Sequence, residues 1–346
     1  MVQRRLVSYG VCLCAVIALG QAPAWGARPS IRGVHLEVDR APQAQALPTA
    51  TVSQIKALVA ERTRQAVAMT QTAGILLLDA QMGTLQQRMW ELRDGRDGGL
   101  WVRLGGTDYH ADTSDTPAFK ERLKYGSLGG DYGWKLGKGT LFLGGYVGMG
   151  KADVHDDGGP LNGEIRNYYA GSYLTYFEPE GWYVDLATRV GRMKLDFKVD
   201  IPEINKTYDA DDKHAAFTGS LETGYHFALP RAWFVEPQAQ LLYEHSSQHS
   251  VIGRLGVRAG RDFALSGGGN VRPYVTLSYL AQLSNDNTVD YGGDSFKAAL
   301  PGNRWRVGGG IALDSGPHRA FADLRYGHGS DISRELTLVL GYAYRF

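Results

Sequence analysis

Past residue 26 the sequence has no cysteine; its two, Cys12 and Cys14, both lie near the start. A disulfide framework and a thiolate metal site are thereby excluded from the rest of the chain. Also missing, after the opening residues, is any apolar run of about 18 residues, so no helix of the sequence is suited to spanning a bilayer. Charge of one sign is lacking too: without Arg4 and Arg5, 35 Lys and Arg stand against 36 Asp and Glu. That balance gives no electrostatic hold on a nucleic acid, and no such partner is expected. No G-x-S-x-G, H-E-x-x-H or phosphate-cradling glycine loop occurs, so neither a catalytic residue nor a cofactor nor a metal is assigned. What the sequence does have is glycine, 45 of 346 residues, and 19 tyrosines.

Arg4 and Arg5 precede an apolar run from Leu6 to Leu19, followed by small residues with candidate cleavage sites at Ala22-Pro23-Ala24 and Ala24-Trp25-Gly26. That three-part layout is the layout of a secretory signal, expected over residues 1–26. From Ala27 to Ala50 no period is evident, and an extended or disordered segment is expected. Thr51 with Gln54 has the spacing of a capping box, and Val52, Ile55, Val59, Ala66 and Met69 then recur at helical spacing. A second helical stripe consists of Ile75, Leu78, Met82, Leu85, Met89 and Leu92, which predicts a helix over 75–93. Asp79, Gln86, Gln87, Arg88, Glu91 and Arg93 occupy its other faces.

At Leu100 the period changes from 3.6 to 2. Turn signals cut the remainder into twelve segments, beginning at Gly99–Ala111 and ending at Arg334–Phe346. In the last one Leu336, Leu338, Leu340, Tyr342, Tyr344 and Phe346 alternate with small or polar residues. Trp305, Val307, Gly309, Ile311 and Leu313 likewise interleave with Arg304, Arg306, Gly308 and Gly310. Successive strand side chains point to opposite faces, so each segment has one apolar and one polar face. Alternation does not say which face is inside. The export signal and the terminal Phe346 favour a membrane barrel, lipid outside and a polar lumen within. Long outer loops are expected at Asp112–Lys120, Val199–Asp212 and Ser284–Gly302, with a further one at Val154–Asn162, against short turns at the other end.

Particular strings carry a family resemblance. They are Leu85–Asp94 (LQQRMWELRD), Gly98–Arg103 (GGLWVR), Gly181–Asp185 (GWYVD), Trp233–Leu241 (WFVEPQAQL), Ile252–Arg258 (IGRLGVR), Arg272-Pro273-Tyr274 and the terminal Tyr344-Arg345-Phe346. From about Ile75 onward the chain resembles the translocator of pertactin-like autotransporters (type V secretion). The resemblance implies an all-β fold, a twelve-stranded antiparallel transmembrane β-barrel with an N-terminal α-helix in the lumen. The implied organisation is a signal peptide (1–26), a short passenger-like segment (27–74), a plug helix (75–98) and the barrel (99–346). Such a barrel sits in the outer membrane of a Gram-negative bacterium after Sec-dependent export, as a monomer surrounded by lipid. Its implied partners are periplasmic chaperones and the barrel assembly machinery, which reads a terminal signal here placed on Tyr342, Tyr344 and Phe346. Arg88, Glu91 and Arg93 are expected on the plug. Glu236, Gln238, Arg254, Arg258, Arg304, Arg306, Asp323 and Arg325 are expected to face the lumen. The expected activity is export or display of the N-terminal segment, without enzymatic chemistry. Two other readings remain open: a small-solute channel, and an outer-membrane hydrolase or calcium site built on His155-Asp156-Asp157 or Asp211-Asp212-His214 in outer loops.

Overall fold

The structure, a computed structural model, describes residues 52–85, 92, 97–113, 116–157, 159–202, 205–284, 288–291 and 294–346. The expected signal segment, and Arg88, Glu91 and Arg93, lie outside them.

Among the described residues one α-helix, α1 (Val52–Gly83), precedes twelve long strands. These are β1 (Gly98–Ala111), β2 (Phe119–Leu136), β3 (Gly139–Asp156), β4 (Leu161–Phe177), β5 (Trp182–Ile201) and β6 (Lys206–Tyr225). They continue as β7 (Trp233–His245), β8 (His249–Arg261), β9 (Asn270–Gln282), β10 (Arg304–Ser315), β11 (His318–Gly329) and β12 (Ile332–Arg345). Every strand pairs antiparallel with its sequence neighbour, and β12 pairs with β1 from Arg345↔Gly99 to Arg334↔His110. The sheet therefore closes on itself and leaves no edge, the condition a sheet must meet to cross hydrocarbon. The expectation of a twelve-stranded antiparallel barrel with one helix is borne out.

The apolar face points outward. Leu128, Val147, Leu174, Val190, Leu255, Val275 and Leu338 are among the large apolar side chains left exposed around the wall. Their neighbours along each strand are buried, as the alternating burial of β2, β4 and β12 records. A soluble barrel would reverse this, because exposed apolar surface on that scale is unfavourable in water.

Glycine serves the wall by making room for large inward rings. A Cβ on Gly133 would stand 2.5 Å from the Phe142 ring, and one on Gly99 would stand 2.7 Å from Arg345 Cδ. The second case matters for closure. Arg345 crosses over Gly99 of β1 and reaches Asp131 of β2 at 2.6 Å, tying three strands together where the sheet closes.

The wall is uneven. Strands β2 to β6 run 17 to 20 residues, whereas β7 to β12 run 12 to 14. Two expected long loops are therefore corrected. Val199–Asp212 is not a loop: β5 and β6 stay paired out to Ile201↔Lys206. Val154–Asn162 likewise shortens to a tight connection, since His155 pairs with Asn162. Both stretches carry charge on the outward positions, which reads as loop in sequence, but backbone pairing with a neighbour is indifferent to outward side-chain polarity. The longest connection, between Gln282 and Arg304, contains a small hairpin, Thr288–Tyr291 with Asp294–Lys297.

The occupied lumen as candidate functional site

The helix is longer and begins earlier than the 75–93 expected and ends at Gly83, so it takes in the first sequence stripe and Ile75, Leu78 and Met82 of the second, with Leu85 and Leu92 beyond it. Residues 66–83 form an apolar stretch on every face, interrupted by Thr70, Gln71, Thr72, Asp79 and Gln81. Such a stretch has no polar face, and the sequence periodicity reads it as two stripes, ending at Met69 and resuming at Ile75, rather than as one helix; a helix apolar all round belongs in an interior. Its hydroxyls are satisfied: Thr70 donates to the Ala66 carbonyl (2.7 Å), and the single Thr72 proton has the Ala68 carbonyl at 3.1 Å and a nearer acceptor outside the helix. All residues from Ala66 to Leu85 are buried, while 54–65 is mostly half-buried or exposed. The lumen encloses the C-terminal part of α1 and leaves the N-terminal part at the mouth.

Which mouth is given by the neighbours. The helix from Ala66 to Ala80 packs with Tyr109, Ala111, Phe119, Val199 and Ile201, where β1, β2 and β5 meet the β1–β2 and β5–β6 connections. Further along, Met82 and Leu85 pack with Trp101, Tyr146 and Tyr173, nearer the end that holds the barrel's two termini. Leu92 lies against Phe142, Phe177 and Tyr183 beside the short turns. The chain thus runs down the lumen from the long-loop end and enters β1 at the short-turn end. On the low side of the wall, Val289 and Ala298 of the β9–β10 connection cover the helix, and Thr72 donates to Ala299 O at 2.7 Å.

The last turns of α1 meet arginines from three strands. Asp79 receives Arg304 at 2.6 Å and is also bonded by Arg306, while Arg306 reaches Glu335 at 2.8 Å. Arg189 of β5 donates to Gln81 at 2.8 Å and to the Leu78 carbonyl at 3.1 Å. Arg325 of β11 donates to the Gly83 carbonyl at 3.4 Å. No basic residue occurs in the helix's own last turn. The wall supplies the cations that the unsatisfied carbonyls and negative dipole end of a helix attract.

Other lumen groups are held by one another. Glu222 pairs with Arg254 at 2.9 Å and accepts from the Tyr183 hydroxyl at 2.7 Å. Gln238 donates to Glu236 at 2.9 Å, and Arg258 lies over the Tyr274 ring. Asp323 takes Arg325 at 2.5 Å and the Tyr274 hydroxyl at 2.9 Å. Of the residues singled out from sequence, Arg304, Arg306 and Arg325 touch the helix; Glu236, Gln238, Arg254, Arg258 and Asp323 are bound into the wall. Tyr342, Tyr344 and Phe346 point outward and are exposed. Sequence reasoning passed over Asp79, Arg189, Asp131 and Glu335. For Asp79 a signal existed: it is the one charge between Ala66 and Gly83.

The hydrolase and calcium constellations are only partly brought together. His214 and Asp212 lie two apart in one strand, share a face and bond at 3.1 Å, whereas Asp211 takes the other face. His155 bonds Asn162 at 2.7 Å, whereas Asp157, in the β3–β4 connection, takes Lys120 at 2.6 Å. That ammonium holds the Asp157 carboxyl below its ordinary range. Among the described residues no group of three potential ligands stands close enough for a metal ion.

An antiparallel membrane barrel holding a helix in its lumen is a known class of outer-membrane protein, and comparison with known proteins defines the class further. The autotransporter beta-domain family model matches residues 100–249 and 241–327, about two thirds of the chain. The pertactin autotransporter of Bordetella bronchiseptica is 30% identical over 287 residues, covering 77% of this chain and 31% of the relative. The BrkA autotransporter of Bordetella pertussis is 29% identical over 288 residues, 77% of this chain and 28% of the relative. The crystal structure of the Bordetella BrkA beta domain superposes with a TM-score of 0.62 at 27% identity, covering 72% of this chain and all of that one. The chain belongs to the autotransporter beta-domain family, the outer-membrane barrels of Gram-negative bacteria. It spans less than a third of the length of these two curated relatives.

Proposed function

We propose that this chain is a translocator that carries the segment ahead of α1 to the cell surface and itself performs no catalysis. The observation that carries the reading is the course of α1: enclosed from Ala66 to its end at Gly83, and emerging at the end opposite the barrel's own termini. A polypeptide held in that position has its N-terminal side outside once the short turns are periplasmic. An epitope inserted within residues 27–50 is expected to be labelled by antibody on intact cells. Labelling only after the outer membrane is broken would refute surface display.

In this reading the strand β12 also carries the signal for assembly, with periplasmic chaperones and the barrel assembly machinery as partners. Phe346 donates its N–H to Gly98 O at 2.9 Å and accepts from Gly98 N–H at 3.2 Å, the last pair of the closing seam. Deleting Phe346 is expected to reduce the heat-modifiable folded band and the outer-membrane yield. Unchanged yield would remove the terminus from the assembly signal. The channel reading is weakened by the occupied lumen: deleting 52–83 is expected to raise single-channel conductance above that of the intact barrel.

A further inference from the structure

The outward face of the tall wall carries an ordered charge pattern. In register across β2 to β6, Lys124 stands opposite Lys151, Lys151 opposite Arg166, Arg166 opposite Lys194 and Lys194 opposite Lys213. Five cations thus share one row, roughly 19 Å across at the ordinary strand spacing of about 4.8 Å. Like charges placed directly opposite in a sheet repel, so the row is unfavourable unless anions answer it. The chain answers only part. One pair farther out runs Asp153, Glu164, Asp196 and Asp211, and this acidic row takes Lys151 (2.8 Å to Glu164), Arg166 (2.5 Å to Glu164) and Lys194 (2.7 Å to Asp196). Lys124 and Lys213, at the two ends, have no acidic partner among the described residues, and neither has Arg192, which stands opposite Tyr168.

The row lies at a boundary. Along each strand toward the short-turn end, the next outward residues are apolar: Met149 on β3, Tyr168 on β4, Val190 on β5 beyond Arg192. Met149 and Tyr168 are each 58% exposed. Strands of such barrels lean by roughly 35–45°, so the row climbs out of the belt from β2 toward β6, and Arg192 continues the belt's edge beneath Lys194. The opposite flank differs: at its rim Tyr279, Trp305 and His328 stand in register, and Arg334 of β12 is the one cation next to them in that row. The cations are concentrated on one side.

We propose that Lys124, Lys151, Arg166, Arg192, Lys194 and Lys213 form a binding row for a lipid of the outer leaflet carrying two or more phosphates. Its acyl chains lie along Met149, Val147 and Val190, and its phosphates lie on the row. The chemistry selects this occupant. Only an amphiphile satisfies both the exposed apolar strip and the uncompensated cations directly above it, and the guanidinium group at Arg192 matches phosphate oxygens bidentately. The acidic row holds the ammonium groups extended toward that level.

The test uses the full chain folded in phosphatidylcholine vesicles with or without bisphosphorylated lipid A, followed by native mass spectrometry of retained lipid. The variant is Lys124→Gln/Arg192→Gln/Lys213→Gln, three exposed side chains with no acidic partner, so folding is expected to persist and is checked by the heat-modifiable band. Apparent affinity for lipid A is expected to fall about fivefold for each cation removed, from about 1 kcal/mol per basic residue at an anionic surface. The charge-preserving variant Lys124→Arg/Arg192→Lys/Lys213→Arg is expected to retain binding. Equal retention of lipid A by the Gln variant overturns the proposal, as does equal binding of dephosphorylated lipid A. Loss of binding in the charge-preserving variant also overturns it. Displacement of the lipid by millimolar inorganic phosphate would show a free-anion site and overturn the lipid assignment.

Discussion

Two stretches of one helix are held in the same lumen by different forces. From Ala66 to Leu78 the neighbours are apolar: Phe119, Leu123, Ile165, Leu195 and Val199 close around Met69, Ile75 and Leu76. Glu121, buried opposite Val154, is a charged exception on that wall. From Asp79 to Gly83, Met82 still packs on aromatic rings, but Asp79, Gln81 and the Gly83 carbonyl are each bonded by an arginine of the wall. Apolar packing is strong and non-directional, so it tolerates sliding or turning of a cylinder whose sides are all alike. Hydrogen-bonded ions are directional and hold one axial position and one rotation. The difference suggests a division of labour, in which the first stretch excludes water and the second sets the register at which the chain stops.

The largest effect is expected where directionality resides. Asp79→Leu leaves Arg304 and Arg306 with one of their acidic partners gone, in a site where both arginines are buried. Removing one partner of a buried ion pair typically costs about 3–5 kcal/mol. The midpoint of the heat-modifiable transition is therefore expected to fall steeply, and α1 is expected to become protease-sensitive. Replacing the whole buried set, by adding Arg304→Met, Arg306→Met and Glu335→Leu to Asp79→Leu, is expected to recover much of the loss, since no buried charge is then left without its partner. If the single change is silent, the arginines are satisfied by Glu335 alone and Asp79 sets nothing.

The apolar stretch gives the second-largest effect. Leu76 is fully buried, and Leu76→Ala is expected to cost about 2–4 kcal/mol through lost burial and an incompletely collapsed cavity. The same midpoint measurement checks it. The sharper reading is the position of the helix: Leu76→Ala lowers stability without altering crosslinks between α1 and β10, whereas Asp79→Leu scatters them. Identical crosslink patterns in the two variants would dissolve the distinction between packing and registration.

Sequence made the barrel legible because its physics is a period of two, repeated. Leu336 to Phe346 and Trp305 to Leu313 alternate strictly, and neighbour pairing with closure follows from strand count and short turns. Strand ends were not legible. Outward charges in Lys198 to Asp211 are compatible with both a loop and a strand standing above lipid, and only the paired backbone decides. The helix was half legible. Two helical stripes are read, up to Met69 and from Ile75, but their union into one helix is not, because 66–83 is apolar on every face and packs against an apolar cluster of the lumen. Asp79 was assigned to an unremarkable face, since a lone acid acquires meaning only when Arg304 and Arg306, 225 and 227 positions away, arrive beside it. Arg345 with Asp131, 214 positions apart, is a second partnership of that kind.

The smallest expected effect separates fit from propensity within the apolar stretch. Gly74 lies mid-helix, and a Cβ there would stand 3.1 Å from Met193 Cε, with no other atom so near. Glycine inside a helix costs about 0.5–1 kcal/mol relative to alanine, because it gives up more backbone freedom on folding. Against that gain, Gly74→Ala presses on the far end of a flexible thioether, a group that moves by a few tenths of an ångström at little cost. The two terms oppose each other, and the net change is expected within about 1 kcal/mol of zero, on the stabilising side. Met193→Ala in the same background is expected to remove the clash and leave its own cavity, so the double variant falls below the single one. A loss of several kcal/mol from Gly74→Ala alone would mean that Met193 is locked, and that the apolar stretch specifies its register as tightly as the arginines do.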